Sequence, residues 1–404
     1  MIKLKDVCDI IGDGLHGTPV FSDNGNYYFV NGNNLSNGKI KIYKDTKKCD
    51  ESQYNLYKKD LTDRTILLSI NGTIGNLAYY NGESIILGKS ACFLNIKKEY
   101  DKRYMYYIFL DRKFQQYIKE YATGTTIKNT GLQTIRNFEF ELPKKEEQKA
   151  IADVLSSFDD KIELNNKIIK NLENQAQSVY KHWFIDFEFP NEEGKQYKSS
   201  GGKFKESELG LIPECWDCKN IGDVCTRLTK RVKDGKYEVL SAVNTGELVL
   251  SSDYFNKQVF SENISNYIIV PPFSFAYNPA RANIGSIGMN KFNFDGCVSP
   301  IYIAVTFEKD YHWFWEILIK SEYFKEQIKT RSSGSVRQNF DFNSFSTIKI
   351  AYPKAEVIKN FNLYYNTFNE QIVKTKIENK KLEETRDYLL QKLMNGEIKV
   401  SDVK

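Results

Sequence analysis

Histidine and methionine are scarce in this chain of 404 residues, with three and four copies against 26 tyrosines and 26 phenylalanines. So few imidazoles and thioethers leave little material for a metal centre or an acid–base relay. No apolar run approaches the roughly 18 residues that span a bilayer. The opening Met1-Ile2-Lys3-Leu4-Lys5-Asp6 lacks the apolar stretch and cleavage site of a secretory signal, so a membrane or secreted protein is not expected. The seven cysteines, at 8, 49, 92, 215, 218, 225 and 297, are odd in number and without framework spacing. They read as reduced thiols of a cytoplasmic protein. What is abundant is hydrophobic side chain, at 41%, and charge, at 27% with a net of +5. That composition can bury a sizeable core, and at roughly 100–200 residues per domain it predicts two to three domains. The many aromatic and amide side chains suit packed sheets and nucleic-acid base edges alike.

The chain repeats itself. At an offset of 210 residues it matches itself without a gap over about 60 positions. Gly124-Thr125-Thr126-Ile127-Lys128-Asn129 falls on Gly334-Ser335-Val336-Arg337-Gln338-Asn339, and Pro143 falls on Pro353. The same offset pairs Phe158 with Phe368 and relates Asn71-Gly72-Thr73-Ile74-Gly75-Asn76 to Arg281-Ala282-Asn283-Ile284-Gly285-Ser286. A slightly longer offset joins Asp6-Val7-Cys8 to Asp223-Val224-Cys225. A period this long, present twice, argues for two copies of a whole domain plus its connector and against a solenoid of short units.

Within each copy the hydrophobic pattern changes at the proline. Upstream, the segments 27–30, 65–70, 91–96, 138–142, 267–270 and 301–307 are short, β-branched or aromatic, and broken by Gly and Asn, as strands and turns are. One helix is predicted late in each copy, over 104–121 and 313–328, giving a mixed α+β domain. Downstream, apolar residues recur in alternating steps of four and three: Ile151, Leu155, Phe158, Ile162, Asn165, Ile169, Leu172. The second copy repeats the seam at Phe361, Tyr365, Phe368, Ile372, Thr375, Asn379, Leu382, Arg386 and Leu389. Forty residues of such a heptad make about 60 Å of helix. Asn165 and Thr375 stand at the polar interruption of each seam, where a buried polar residue fixes register. Two surface helices lying on their own domains are the alternative to two helices that pair with each other. The expected organisation is a first domain over 1–143, a long helix over 144–189, a linker over 190–213, a second domain over 214–353 and a second helix over 354–404.

Several motifs look chemical and fail on context. Gly12-Asp13-Gly14-Leu15-His16-Gly17 has dinucleotide spacing, but Thr18-Pro19-Val20 does not propagate the helix whose N-terminus would meet a pyrophosphate. Gly82 to Ser90 resembles a phosphate loop with five residues between its glycines instead of four, and a strand is predicted to follow. Val270-Pro271-Pro272-Phe273 resembles the Asn-Pro-Pro-Tyr/Phe motif of amino-methyltransferases, but valine cannot hydrogen-bond an amine. Cys215-Trp216-Asp217-Cys218 is a single pair where a structural zinc needs four ligands. No nucleophilic triad and no repeated carboxylate pair is present. The repeat instead reproduces polar loops carrying Gly, Asn, Thr, Lys and Arg. Lys, Ser, Thr and backbone N–H groups suit phosphate, and Arg, Asn and Gln suit base edges, although each loop is also simply a good turn. The segment 1–143 carries 20 Lys and Arg against 16 Asp and Glu, a slight basic bias.

In its order of parts the chain resembles the specificity subunit of type I restriction-modification systems. The resemblance covers nearly the whole length. It rests on Leu209-Gly210-Leu211-Ile212-Pro213-Glu214-Cys215-Trp216 with Ile221-Gly222-Asp223-Val224, on the Leu142-Pro143 and Tyr352-Pro353 junctions, and on Gln148 followed by the heptads. Cys215 stands where glycine is more usual, and Lys354-Ala355-Glu356-Val357 lacks the Glu146-Glu147-Gln148 run of the first junction. The resemblance implies two target recognition domains, each reading half of a split DNA sequence, and two long helices forming an antiparallel coiled coil between them in an internal pseudo-two-fold repeat. It implies no catalysis and no cofactor on this chain. Double-stranded DNA, two methyltransferase subunits carrying adenosylmethionine, and restriction subunits using ATP and Mg are the implied partners. On that basis the DNA contacts expected in the first domain are Gly14, His16, Thr18, Asn33, Asn71, Thr73, Lys89, Ser90, Thr125 and Lys128. In the second they are Asn244, Arg281, Asn283, Ser335, Arg337 and Gln338. A stand-alone DNA methyltransferase or nuclease, and a coiled-coil scaffold without a DNA role, are the alternatives.

Overall fold

The computed structural model describes residues 1–125, 127–255, 258–332 and 339–402. The chain divides into two compact units, Met1–Asn166 with Lys376–Lys404, and Lys167–Thr375.

The first unit holds strands β1 (Cys8–Asp13), β2 (Tyr27–Val30), β3 (Thr65–Ser69), β4 (Leu77–Tyr79), β5 (Ile85–Leu87) and β6 (Ala91–Ile96). Four of them form an antiparallel sheet in the order β1-β6-β3-β4, and β2 pairs in parallel with β5. β3 and β6 are the inner strands and are buried at every residue, which is why they read as continuous apolar runs without alternation. Their polar members are satisfied: Thr65 donates to Asn95 Oδ1 at 2.6 Å, and Asn95 Nδ2 donates to the Asp60 carbonyl at 2.7 Å. The helix expected over 104–121 is two helices, α1 (Lys102–Leu110) and α2 (Arg112–Glu120). Asp111 breaks it, taking an extended backbone and accepting a hydrogen bond from the Lys113 N–H as the cap of α2. After Pro143 the long helix α3 (Lys145–Tyr180) begins, its start tied to the body by Gln148, which accepts from the Asp101 N–H and donates to the Pro143 carbonyl.

The second unit holds β7 (Cys225–Leu228), β8 (Glu238–Val243), β9 (Ile268–Val270), β10 (Phe275–Tyr277), β11 (Ile287–Met289), β12 (Gly296–Val298) and β13 (Ile303–Phe307). Its antiparallel sheet runs β7-β13-β10-β11, the order of the first unit, and β8 again pairs in parallel, with β12. Here too the expected helix over 313–328 is split, into α4 (His312–Lys320) and α5 (Glu322–Arg331), by the capping hydroxyl of Ser321 on the Phe324 N–H. The second long helix, α6 (Ala355–Met394), follows Pro353. The core gathers Trp183, Trp216, Trp313 and Trp315 with Phe184, Phe314 and Phe361. Trp216 stacks on Phe189 at 5.0 Å between ring centroids.

Both long helices serve both units. In the first, Ile151, Ala152 and Leu155 of α3 and Leu390 and Leu393 of α6 enter the core beside Leu68, Leu94 and Phe114. Asp159 meets Arg386 at 2.6 Å and accepts from the Tyr107 hydroxyl at 2.6 Å. Asn165 donates to Asn379 Oδ1 at 2.8 Å, and Asn379 donates to Asn166 Oδ1 at 3.0 Å. In the second unit Trp183 packs on Phe361 at 6.0 Å and on Tyr364 at 5.6 Å. Among the seam positions, Ile151, Leu155, Ile162, Asn165, Ile169, Leu172 and Phe361 are buried, and Phe158, Tyr365, Phe368, Ile372, Thr375, Leu382 and Leu389 are half-buried. The buried amide that partners Asn165 is that of Asn379 and not Thr375, whose hydroxyl turns back to the Gln371 carbonyl at 2.7 Å. Partner numbers fall along α6 as they rise along α3, so the mate of Asn165 lies one helical turn beyond the residue 210 positions away.

Candidate nucleic-acid interface

In the first unit the candidate residues collect where the strands end. Leaving β1, the Gly14 N–H donates to the Ala91 carbonyl and the Leu15 N–H to Leu87, which lays this loop along the turn between β5 and β6. Gly14 itself is buried: a Cβ there would lie 2.2 Å from the Gly88 carbonyl oxygen, so it supports the turn and presents nothing outward. His16 and Thr18 are exposed, and the His16 ring pairs with the Asp13 carboxylate. Lys89 stands exposed on the turn, and Ser90 beside it accepts from the Gly32 N–H at 2.8 Å and donates to Asn31 Oδ1 at 2.9 Å. That holds the short turn Gly32–Asn34, with Asn33 facing solvent. Gly32 also packs on Ser69, whose hydroxyl lies 3.1 Å from that of Thr73.

The loop after β3 then meets a segment fifty residues away. Asn71 bridges to Asn129, the Gly72 N–H donates to the Lys128 carbonyl at 3.3 Å, and reciprocal bonds between Thr123 and Asn129 close a hairpin carrying Thr125 and Lys128. Gln115 of α2 donates to the Gly75 carbonyl at 3.0 Å and to the Phe109 carbonyl at 2.7 Å, pinning the loop to the helices. A cavity of about 440 Å³ opens between them, lined by Gly72, Ile74, Lys119, Ile127 and Lys128. The structure thus brings Asn33, Asn71, Thr73, Ser90 and Lys128 into one connected group. Gln115, Lys119 and Ile127 join it without having been singled out in the sequence; Lys119 and Lys128 share no motif, and only the closed hairpin makes them neighbours.

The second unit builds a comparable edge. The Asn278 N–H donates to the Ser286 carbonyl, the Ser286 N–H to Arg281, and the Ser286 hydroxyl to the Ala242 carbonyl at 2.7 Å. This sets Arg281 and Asn283, both exposed, beside exposed Asn244, whose carbonyl oxygen lies 2.7 Å from where a Cβ on Gly285 would stand. Ser335, Arg337 and Gln338 lie outside the described residues.

Burial pushes the Cys8 and Cys297 thiols up to about 12, and burial with the Asp159 carboxylate raises Tyr107. These are core positions. Among the described residues no cluster of three or more His, Cys, Asp or Glu is arranged to hold a metal ion. Gly88 to Ser90 leads into a strand, as expected, and Val270 to Ser274 is a tight turn in which the Ser274 N–H donates to Pro271. No helix of the described residues is long and apolar enough to cross a membrane.

The two units thus share one strand order, and each sheet is edged by amide- and cation-bearing loops. The type I restriction modification DNA specificity domain matches residues 1–174, which take in Met1–Asn166 of the first unit and the start of the second. The chain is 24% identical to the MjaIX type I restriction enzyme specificity subunit of Methanocaldococcus jannaschii, over 99% of this chain and 94% of that one. It is also 24% identical to the HindI specificity subunit of Haemophilus influenzae, over 73% and 77% of the two chains. The crystal structure of a type I restriction-modification S subunit from M. genitalium shares the fold with a TM-score of 0.53 at 19% identity, covering 97% of this chain and 95% of that one.

Proposed function

We propose that this chain is the non-catalytic specificity subunit of a type I restriction-modification complex and reads an asymmetric, two-part target in double-stranded DNA. In this reading residues 1–143 and 214–353 are target recognition domains, 144–189 and 354–404 are spacer helices paired as an antiparallel coiled coil, and 190–213 is the linker. Two methyltransferase subunits bring adenosylmethionine, restriction subunits bring ATP and Mg, and the assembly works in the cytoplasm. The observation that carries the reading is the recurrence of exposed loops at the ends of two like-ordered sheets, bearing Asn71, Thr73 and Lys128 in one unit and Asn244, Arg281 and Asn283 in the other. Amides and guanidinium groups discriminate bases by paired hydrogen bonds, and ammonium groups hold phosphate. The two sets differ, so the two half-sites differ. The spacer role is supported by the three-and-four spacing of covered positions along α3 and α6 and by the opposed order of their contacts. A rigid helix pair changes length by about 10 Å per heptad, so its length sets the half-site spacing.

The test is single-molecule sequencing of adenine methylation in a naive host expressing this chain with its methyltransferase partner, against the methyltransferase alone. A split, asymmetric motif appearing only with both chains is the expected result. A soluble complex that adds no methylation would overturn it and favour a scaffold without a DNA role.

A further inference from the structure

The cavity of about 440 Å³ in the first unit draws its walls from three separate segments: Gly72 and Ile74 from the loop after β3, Lys119 from the last turn of α2, and Ile127 and Lys128 from the hairpin. Its lining carries two ammonium groups and no carboxylate. Among the described residues neither lysine has an ion-pair partner. Two uncompensated cations at one concavity repel each other and favour an anion between them. The bond from the Gly72 N–H to the Lys128 carbonyl and the Asn71–Asn129 bridge fix the hairpin against the loop before any ligand arrives. A lysine at the end of a helix is also explained by the helix dipole. The dipole does not explain why a second lysine converges on the first, nor why Ile127, 62% exposed, and Ile74 form the remaining walls. Apolar walls beside paired ammonium groups match the two faces of a nucleotide backbone unit, the sugar ring and its phosphate. Planar amide or guanidinium groups, which read base edges in pairs, are missing from the lining.

We infer that this cavity holds one backbone phosphate of the DNA with its deoxyribose, contributing affinity and register but no choice of sequence. The inference rests on the reading of the chain as a DNA-specificity subunit. It separates Lys119 and Lys128 from Asn71, Asn33 and Arg281, to which base reading falls.

The test uses the complex of the full chain with its methyltransferase partner, bound to a duplex carrying its methylated motif and to one with that motif scrambled, over a series of salt concentrations. Lys119→Ala and Lys128→Ala are expected to weaken binding to both duplexes by the same factor, roughly tenfold each. The slope of log affinity against log salt falls by about 0.9 for the lost phosphate. The methylated motif stays the same. Lys119→Gln and Lys128→Gln, which remove the charge but keep most of the side chain and a polar end, give the same result with an unchanged melting temperature. Unchanged affinity and slope would overturn the inference, as would an altered methylation motif, which would make the cavity a base reader. A wild-type complex with no preference for either duplex sinks the parent reading and this inference with it; preference in the wild type with none of these losses in the variants sinks the cavity alone.

Discussion

The loop Asn71-Gly72-Thr73-Ile74-Gly75 of the first unit and Arg281-Ala282-Asn283-Ile284-Gly285 of the second stand between corresponding strands of like-ordered sheets. They keep their last two residues and change the first three. Gly75 and Gly285 both hold positive φ, at 102° and 89°, a conformation other residues rarely adopt. Before those glycines the paths diverge: Gly72 has φ of 73° with open space around it, whereas Ala282 is buried in a short helical turn. A shared exit and a variable tip teach that the sheet supplies position and the tip supplies chemistry. The first tip carries a half-buried amide and a hydroxyl held beside that of Ser69, the second an exposed arginine and an exposed asparagine.

The sharpest way to separate the units is through their cores, because all four tryptophans belong to the second. Trp216→Ala should cost about 3–5 kcal/mol of that unit's stability. Tryptophan fluorescence would follow its unfolding at lower denaturant, while the first unit's tyrosine signal keeps its midpoint; a common shift of both would mean the units do not unfold separately. Next in size, Arg281→Ala should remove about 2 kcal/mol of binding and relax the methylated motif in one half only. Relaxation of both halves, or of neither, would break the division of labour. The amide pair offers a third contrast. Asn165→Leu leaves Asn379 buried without that partner and should cost about 1–2 kcal/mol, whereas Asn165→Leu with Asn379→Leu should recover most of it, as a double-mutant cycle in thermal melts would read. The smallest effect is expected from acid. Burial lowers His312 below its ordinary 6.5, so the unfolded chain takes up the proton first, and the second unit's stability should decline as pH falls through 6.5 and level off below the folded value. His312→Phe should flatten that decline in melts across pH 5 to 8, the range around an ordinary histidine.

Much of the architecture was legible because it is periodic. The alternating steps from Ile151 to Leu172 and from Phe361 to Leu389 are covered in the structure, and the strands 65–70 and 91–96 are the buried inner pair of their sheet. The breaks at Asp111 and Ser321 were hidden because apolar residues continue on both sides, and the capping hydrogen bond overrides that pattern. Asn379 could not be told from Thr375 without the direction of pairing. Gly14 looked like a loop glycine, and only its contact with the Gly88 backbone reveals a packing role. Of the interface, the residue types were readable and their grouping was not. Lys119 sits on a helix and Lys128 on a hairpin, and the bond that makes them neighbours runs through the Gly72 backbone.

The first unit is closed by the far end of its own chain, since Leu390 and Leu393 complete a core begun at Leu4 and Val7. The second unit, Lys167–Thr375, is continuous. During synthesis at about 5–20 residues per second, the first unit must therefore wait roughly ten seconds or more after its strands emerge before its core can be finished. The middle of the chain has all its own parts by then. The portion made first is the last to mature, and a ribosome that stalls late leaves a finished second unit beside an open first one, a species with exposed apolar surface for chaperones to hold.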